Sequence, residues 1–504
     1  MNIFVLFSVD LYKNISILHG KKVFLVEDLH YFNRSSKKNG GIQFNILKPI
    51  YHRATMKYYF DYLILNGINC QYVDLTKNWI DVVKKYYLNN ILHFYDPVDR
   101  KIEKMINKNF DSYEIINTPR FILSTEELEQ YNGALRQTSF YSWIRKIKNI
   151  LMEKNNQNKP IGGKLTYDNE NRKTPYKGVE NDIKKFGIKD INSNKDNKDN
   201  KYITKAVLYV RKMFTNSDFI ISSGKKLKDI NNIDDTGTVL KFPINHKDTL
   251  QRLKYFIKNT IFKFGTYQDI ILDDENTSFV FHSAQSPMLN IGLICPEEIV
   301  NIVIKYYEKL SPKGKLEKIN SIEGFIRQIL GWREFSRYMY EKHSNMYLNK
   351  NYFNATKKLG KEWYIENYNI PNIPNIPIDL CIKKAFKFGY LHHIERLMIV
   401  ANYMMLTGIH PKEIYKWFYS FAIDSYDWVM EYNIFCMATY SDGGQFTSKP
   451  YISSSKYVLK MSNYKNDNIW THNWDSLFWK FMKKHKNKIK KIGRLSMLLK
   501  FIPK

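Results

Sequence analysis

The sequence predicts an α/β unit built on a parallel, Rossmann-like sheet, followed by an all-α unit. Three observations predict it. Short apolar, β-branched runs alternate with helical periodicity through residues 1–150. A Lys/Asn/Asp-rich stretch at 189–201 holds a single apolar residue, Ile191. From about residue 204 the periodicity is almost wholly helical. Strands that alternate with helices imply parallel pairing, because each crossover needs a helix. The organisation read from this is an α/β unit over 1–150, a connector over 151–203, an all-α unit over 204–480 and a basic tail over 481–504.

The elements follow in order. "MNIFVLFSVD" has an apolar run with no basic start and no small-residue cleavage site, so it reads as a buried strand rather than a secretion signal. "KKVFLVED" (21–28), "CQYVDL" (70–75), "ILHFYDP" (91–97) and "YEIINTP" (113–119) are apolar runs stopped by turn residues, hence strands. "ATMKYYFDYLILNG" (54–67) has helical period and closes on Gly67. No GxGxxG follows a strand, so no dinucleotide fingerprint is present. The 189–201 stretch has too little apolar surface to order itself and reads as a disordered connector. Beyond it, "TLQRLKYFIKNTIFKFG", "CPEEIVNIVIKYYEKL", "SIEGFIRQILGWREFSRYMY" and "HHIERLMIVANYMMLTG" are helices. Pro296 and Ser321 suit helix starts, and Gly408 suits a stop.

A chain of 504 residues with 44% hydrophobic content is a multi-unit globular protein. Seven of its nine tryptophans lie beyond residue 330. The net charge of +29 reads two ways. An AT-rich genome inflates Lys, Asn and Ile; a polyanionic partner such as DNA attracts basic surface. The run from Lys480 to Lys504 carries ten Lys and Arg and no acid, which favours the partner. Cys70, Cys295, Cys381 and Cys436 show no CxxC spacing, so neither a zinc ribbon nor a disulfide framework is suggested. No run of 18 apolar residues exists, so no membrane span is expected.

Four stretches carry chemistry. His282-Ser283-Ala284-Gln285-Ser286-Pro287 is a polar loop entering a helix, suited to phosphate oxygens or simply to capping. Glu323, Arg327, Arg333 and Glu334 are charges inside an apolar helix, which must pair with each other or with a ligand. In "GYLHHIERLM" (389–398), His392 and Arg396 share a helix face and His393 points about 100° away. "KWFYSFAIDSYDWVMEYNIFCMATYSDGG" (416–444) interleaves Asp424, Asp427 and Asn433 with aromatics, either as plain core or as the wall of a flat aromatic cofactor.

Taken together these stretches carry a resemblance. The order YQD, HSxxSPxLNxGL, EGFIRQxLGWREF, GYxHHIxRLM, then WF, DWV, DGG and SKPY resembles the photolyase–cryptochrome superfamily, and more narrowly the prokaryotic (6-4) photolyases of the iron–sulfur bacterial group. "VFLVED", "YHRATMKYYFDYL", "FILSTEEL" and "GGKLTYDNENRKTP" continue the match, so it covers nearly the whole chain outside 180–203. The resemblance implies an N-terminal antenna-type domain and an all-α domain that binds FAD. It implies His282, Ser283 and Ser286 near the FAD phosphates, with Tyr267 in the same series. Arg333 and Glu334 would lie along the cavity, and Asp424 and Asn433 beside the isoalloxazine. Trp417 would be the nearest aromatic electron donor. His393, with His392 and Arg396 in support, would be the lesion-site proton donor.

Two departures stand out. Cys381 matches the first ligand of the family's [4Fe–4S] cluster, but the other three ligands are missing: Lys465, Asn468 and Asn473 or neighbours stand in that frame, with Trp470 and Trp474 to fill the space. One thiolate cannot hold such a cluster, so no iron–sulfur cluster is expected. Gln285 stands where the family has Leu. The resemblance implies light-driven repair of UV-damaged DNA, with (6-4) photoproducts as substrate, by a monomer in the cytoplasm, nucleus or virion. It leaves an antenna chromophore of ribolumazine type open. Two rival readings are a photoreceptor of the same fold, which the intact His-His-x-x-Arg opposes, and a nucleic-acid-binding paralogue with an empty flavin pocket, which the lost cysteines favour.

Overall fold

A computed structural model gives the architecture. It describes all residues except 1, 88–89, 154–155, 189–199, 216–218, 276–278, 361–362, 365–374, 448 and 504. The sheet has five parallel strands, β1 (Ile3–Leu6), β2 (Lys22–Val26), β3 (Cys70–Val73), β4 (Leu92–Tyr95) and β5 (Glu114–Ile116), in the order β3-β2-β1-β4-β5. Every residue of β1 and β4 is buried. That is why these strands read as continuous apolar runs rather than as alternation: helices cover both faces of a parallel sheet. The remainder is helical apart from a short antiparallel pair, Met152–Glu153 with Asn156–Pro160.

The predicted helix at 54–67 begins earlier, as Leu47–Leu65, and Gly67 (φ +74°) follows it as expected of a stop. Pro296 opens the helix Pro296–Glu308, and Gly408 (φ +80°) follows Asn402–Leu406. Ser321 is not a helix start. It lies inside Pro312–Arg327, whose cap is Ser311, accepting from Gly314 N. The small residues there serve close packing instead: a Cβ on Gly265 would stand 2.2 Å from Ser321 Cα, so the Ile261–Tyr267 helix lies backbone against backbone on the longer one.

Most of the stretch read as disordered, 189–201, lies outside the described residues. Asn200 and Lys201 already belong to the helix Asn200–Met213. That helix returns to the α/β unit: Tyr209 donates to Glu27 at 2.5 Å and Tyr202 to Asp61 at 2.7 Å. Two hydrophobic clusters form the core. One joins the sheet to the helices up to about residue 347 and to Tyr390, Ile423, Tyr426, Trp428 and Tyr432; the other gathers most of the apolar residues between Ile378 and Ile492, with Ile42, Phe44, Ile220, Ile271 and Phe353. No helix among the described residues is long and apolar enough to cross a membrane.

The N-terminal unit is held to the later helices by polar contacts. Arg34 pairs with Asp427 at 3.0 Å, and Arg100 pairs with Glu431. Glu334 accepts from Ile122 N and Leu123 N at 2.9 and 3.3 Å. His30, Asp99 and Asp427 bring ligand-type atoms within 4.8 Å of one another. Burial works against the Asp427 anion, but Arg34 holds its carboxyl below the ordinary carboxylate range. With the guanidinium in place this cluster is an ion-pair network.

Candidate functional site

Three helices lose their α-period at π-helical turns: Gln328–Arg333, Glu395–Ala401 and Tyr432–Ala438. Such turns place side chains off the regular helical register and recur at functional sites. Arg333, Arg396 and Asn433 each fall within one of them. No sequence period announces them, because a π-turn is selected by the packing around it.

A cavity of about 210 Å³ opens between two of these turns. His393, Arg396, Asp424, Asn433 and Ser286 supply its polar lining, and Tyr390, Leu391, Leu397, Phe418, Val429, Met430, Ile434, Met437 and Ala438 its apolar walls. Asp424 is the hub. It accepts both of its contacts with the Arg396 guanidinium at 3.0 Å and one from Ser286 Oγ at 2.7 Å. Asn290 Nδ2 donates to the Asp424 carbonyl at 2.7 Å, and Lys48, reaching in from the Leu47–Leu65 helix, donates to Ser425 O at 2.6 Å. Asn433 Nδ2 donates to Val429 O at 2.6 Å, which fixes the amide at the cavity wall.

The double histidine divides its roles by geometry. His392 lies just before the helical turn that His393 opens, not within a helix as its spacing to Arg396 suggests; Arg396 N donates to His392 O at 3.1 Å. His393 lines the cavity and is exposed to solvent there. The protein packed around it, then Arg396 and His282, push its pKa down to about 4. His392 is fully buried behind it and stacks on His282, centroids 4.9 Å apart.

Other predicted site residues lie apart from the cavity. His282 Nε2 sits 3.0 Å from Gln268 O, and burial pushes its pKa down to about 4. Tyr267 packs on Tyr176 at 5.0 Å. Ser283 is half-buried next to His282 in the chain. Arg333 and Glu334 do not line the cavity. Arg333 donates to Asn290 Oδ1 at 2.5 Å and to Arg120 O, with Trp428 and Phe121 flanking its guanidinium; burial lowers its pKa to about 9. The two residues hold the 120–123 segment against the helices, outside the lining of this cavity. Trp417 is fully buried, donates to Trp363 O at 2.8 Å, and touches the cavity wall through Phe418.

Cys381 is buried, and burial pushes its thiol well above the usual range. Around the frame where three further cysteines would stand, Trp470 and Trp474 are buried and bonded, Trp470 Nε1 to Lys465 O at 3.2 Å and Trp474 Nε1 to Ser453 O at 3.1 Å. Asn468 opens the helix Asn468–Lys484, and Asn473 Nδ2 is buried without a hydrogen-bond partner.

The cavity suits a flat heteroaromatic ring with a polar edge. Its volume is below the roughly 300–1,000 Å³ of pockets that enclose a whole ligand. A dinucleotide would place only its ring there and run past the 282–286 loop. That loop shows two signs of a missing polar partner. Ala284 holds φ +49°, and both ends of the buried Gln285 amide lack a hydrogen bond among the described residues. Sequence reasoning missed Asn290 and Lys48, whose roles depend on contacts across more than a hundred residues.

Residues 4–217 match the family described as deoxyribodipyrimidine photo-lyase-related protein. The chain is 28% identical over 400 residues to a (6-4) photolyase of Agrobacterium fabrum, covering 76% of this chain and 70% of that one. Two uncharacterised proteins of Acanthamoeba polyphaga mimivirus are 48% identical over 98 residues and 42% identical over 164, which covers 80% and 81% of their lengths and 19% and 30% of this chain. A solved bacterial class III photolyase from Agrobacterium tumefaciens aligns at 13% identity over 98% of this chain and 93% of its own, with a TM-score of 0.49. On its sequence relatives, and with a parallel-sheet unit joined to a helical one, the chain is similar to the photolyase/cryptochrome superfamily.

Proposed function

We propose that this protein is an FAD-dependent, light-driven DNA-repair enzyme acting on (6-4) pyrimidine–pyrimidone photoproducts. The observation that carries the reading is one cavity in which His393 stands beside the Arg396–Asp424–Ser286 network and the Asn433 amide. Bound FAD would supply the photoexcited electron. The protein's own part is to bind, orient and hold a proton. Asp424, paired with Arg396, and the Asn433 amide would meet the polar edge of the ring; Met430, Ile434 and Met437 would flank it; Ser283, Gln285 and Ser286 would meet the phosphate-bearing arm. The lone Cys381 thiol leaves no set of four ligands for an iron–sulfur cluster.

His393 is the one imidazole that opens into this space. In the free protein it is neutral at pH 7. A flipped-out nucleotide brings phosphodiester charge toward it, and a nearby anion raises an imidazole pKa. Protonation therefore accompanies substrate entry, and His393 then holds the proton where the lesion lies. The basic C-terminal surface, with Lys480, Lys483, Lys484, Lys490 and Lys491 exposed, suits phosphate contacts.

The test is illumination of purified, flavin-loaded protein with oligonucleotides carrying each lesion. Light-dependent loss of the (6-4) product with the cyclobutane dimer untouched is expected. Flavin without any repair would assign the photoreceptor role instead, and protein that retains no flavin would leave only polyanion binding.

A further inference from the structure

The apolar helices behind the cavity contain a charge system that the cavity chemistry does not use. Lys384, on the helix Ile376–Phe388, and Glu395, at the start of the π-turn, are both fully buried and form a direct ion pair. Burial alone lowers a lysine, but the Glu395 carboxylate more than offsets this and holds Lys384 above its ordinary range. Burying such a pair seldom adds stability over an apolar pair of the same volume. Its surroundings suggest another use. Glu395 Oε2 accepts from His392 N at 3.3 Å and stands 3.5 Å from His392 Nε2. Neither ring nitrogen of His392 has a hydrogen-bond partner among the described residues, so Oε2 is the negative oxygen that decides which nitrogen carries the hydrogen.

The groups around the His392 ring are His282, stacked on it, with Lys384, His393, Arg396 and Glu395. Glu395 itself also faces Arg396, and the Cys381 and Tyr464 groups within its reach are held neutral, mainly by burial. An unneutralised carboxylate at this distance would draw a proton onto the imidazole. Lys384 removes that pull.

We propose that Lys384 and Glu395 are positioning residues for the double histidine: Glu395 fixes His392 as the Nε2–H tautomer, and Lys384 neutralises Glu395 so that His392 stays uncharged and His393 alone can give a proton into the cavity. The consequence for repair rests on the function proposed above; the geometry does not.

The test is ring-nitrogen NMR on the full-length, flavin-loaded protein labelled with ¹⁵N-histidine, His392 being identified by its loss in His392→Asn. The parent should show a neutral Nε2–H imidazole from pH 8 to pH 5. Lys384→Met should show His392 as imidazolium at pH 7. The double variant Lys384→Met/Glu395→Gln should be neutral again, with both tautomers populated, because an amide can accept or donate. A neutral Nδ1–H tautomer in the parent, or neutral His392 in folded Lys384→Met, overturns the proposal. If Lys384→Met does not fold, the double variant decides: a pure Nε2–H tautomer there overturns it. In repair assays Lys384→Met should lower the yield per photon about tenfold or more with DNA affinity unchanged. If the parent repairs nothing yet shows the predicted tautomers, the repair reading falls and the positioning stands.

Discussion

Two neighbouring regions of the helical half have met burial in opposite ways. Around Cys381 the space is filled by rings: Tyr464, Trp470, Trp474 and Tyr403 follow one another with centroids 5.5–6.4 Å apart, and both indoles find carbonyl partners. Around Asp424 the space is left partly open, lined by charge, and held by π-helical turns. The first region behaves as core, where volume decides. The second behaves as a site, where helical regularity is interrupted and bonded charges line an open space. The difference teaches that the frame around Cys381 is closed by packed rings, while the space around Asp424 keeps a polar lining.

Four substitutions break or sharpen that contrast. The largest effect belongs to the open region. His393→Asn should fold and keep flavin, yet lose about 100- to 10,000-fold in light-driven repair, the usual contribution of a positioned acid; an oligonucleotide repair assay at equal flavin occupancy measures it. Next comes the packed region. Trp474→Ala, at a fully buried position, should cost about 3–5 kcal/mol of stability in denaturant titration, with flavin content per folded molecule unchanged. Loss of flavin in the folded variant would mean that the packed region supports the site after all.

Asp424→Asn returns to the cavity. Its neutral amide weakens the contact with Arg396 and the polar edge for a ring, so flavin should dissociate about 10- to 100-fold more readily, the equivalent of about 1.5–3 kcal/mol for hydrogen bonds to a charged group. Flavin fluorescence recovery on dilution reads this directly. The smallest effect concerns Glu431, whose carboxyl is pushed up to about 8 by burial and then by Asp427. A carboxyl raised on folding contributes stability that is present below its ordinary value near 4.5 and is lost as pH rises through about 8. The parent's melting temperature should therefore fall between pH 6 and 9, and Glu431→Gln should flatten that fall by about 1–2 kcal/mol. Equal slopes would place the pH dependence elsewhere.

The three central strands were readable because burial leaves their apolar runs no alternative; the flanking β3 and β5, half-buried or exposed, were readable from β-branched and aromatic residues stopped by turn residues. The helix at Leu47–Leu65 was misread at its start because its first turn, from Leu47 to Ile50, is buried by contacts outside its own period. Ser321 looked like a cap because Ser favours that role locally, whereas close approach to Gly265 needed a small side chain there. The site motifs were legible as residue types. Their sorting was not: Ser286, Arg396, Asp424, Asn433 and His393 reach the cavity, but Tyr267, Arg333 and Glu334 do not.

By itself, the sequence determined the order of the units, the parallel sheet and the residue chemistry present at each motif. Those follow from local period and composition, which act over a few residues. Only the tertiary structure decided which of two adjacent histidines faces the cavity, where the π-turns fall, and that Lys384 pairs with Glu395 behind them. Each of those depends on what packs against a helix from elsewhere in the chain, and burial turns such neighbours into the choice of tautomer, charge and register.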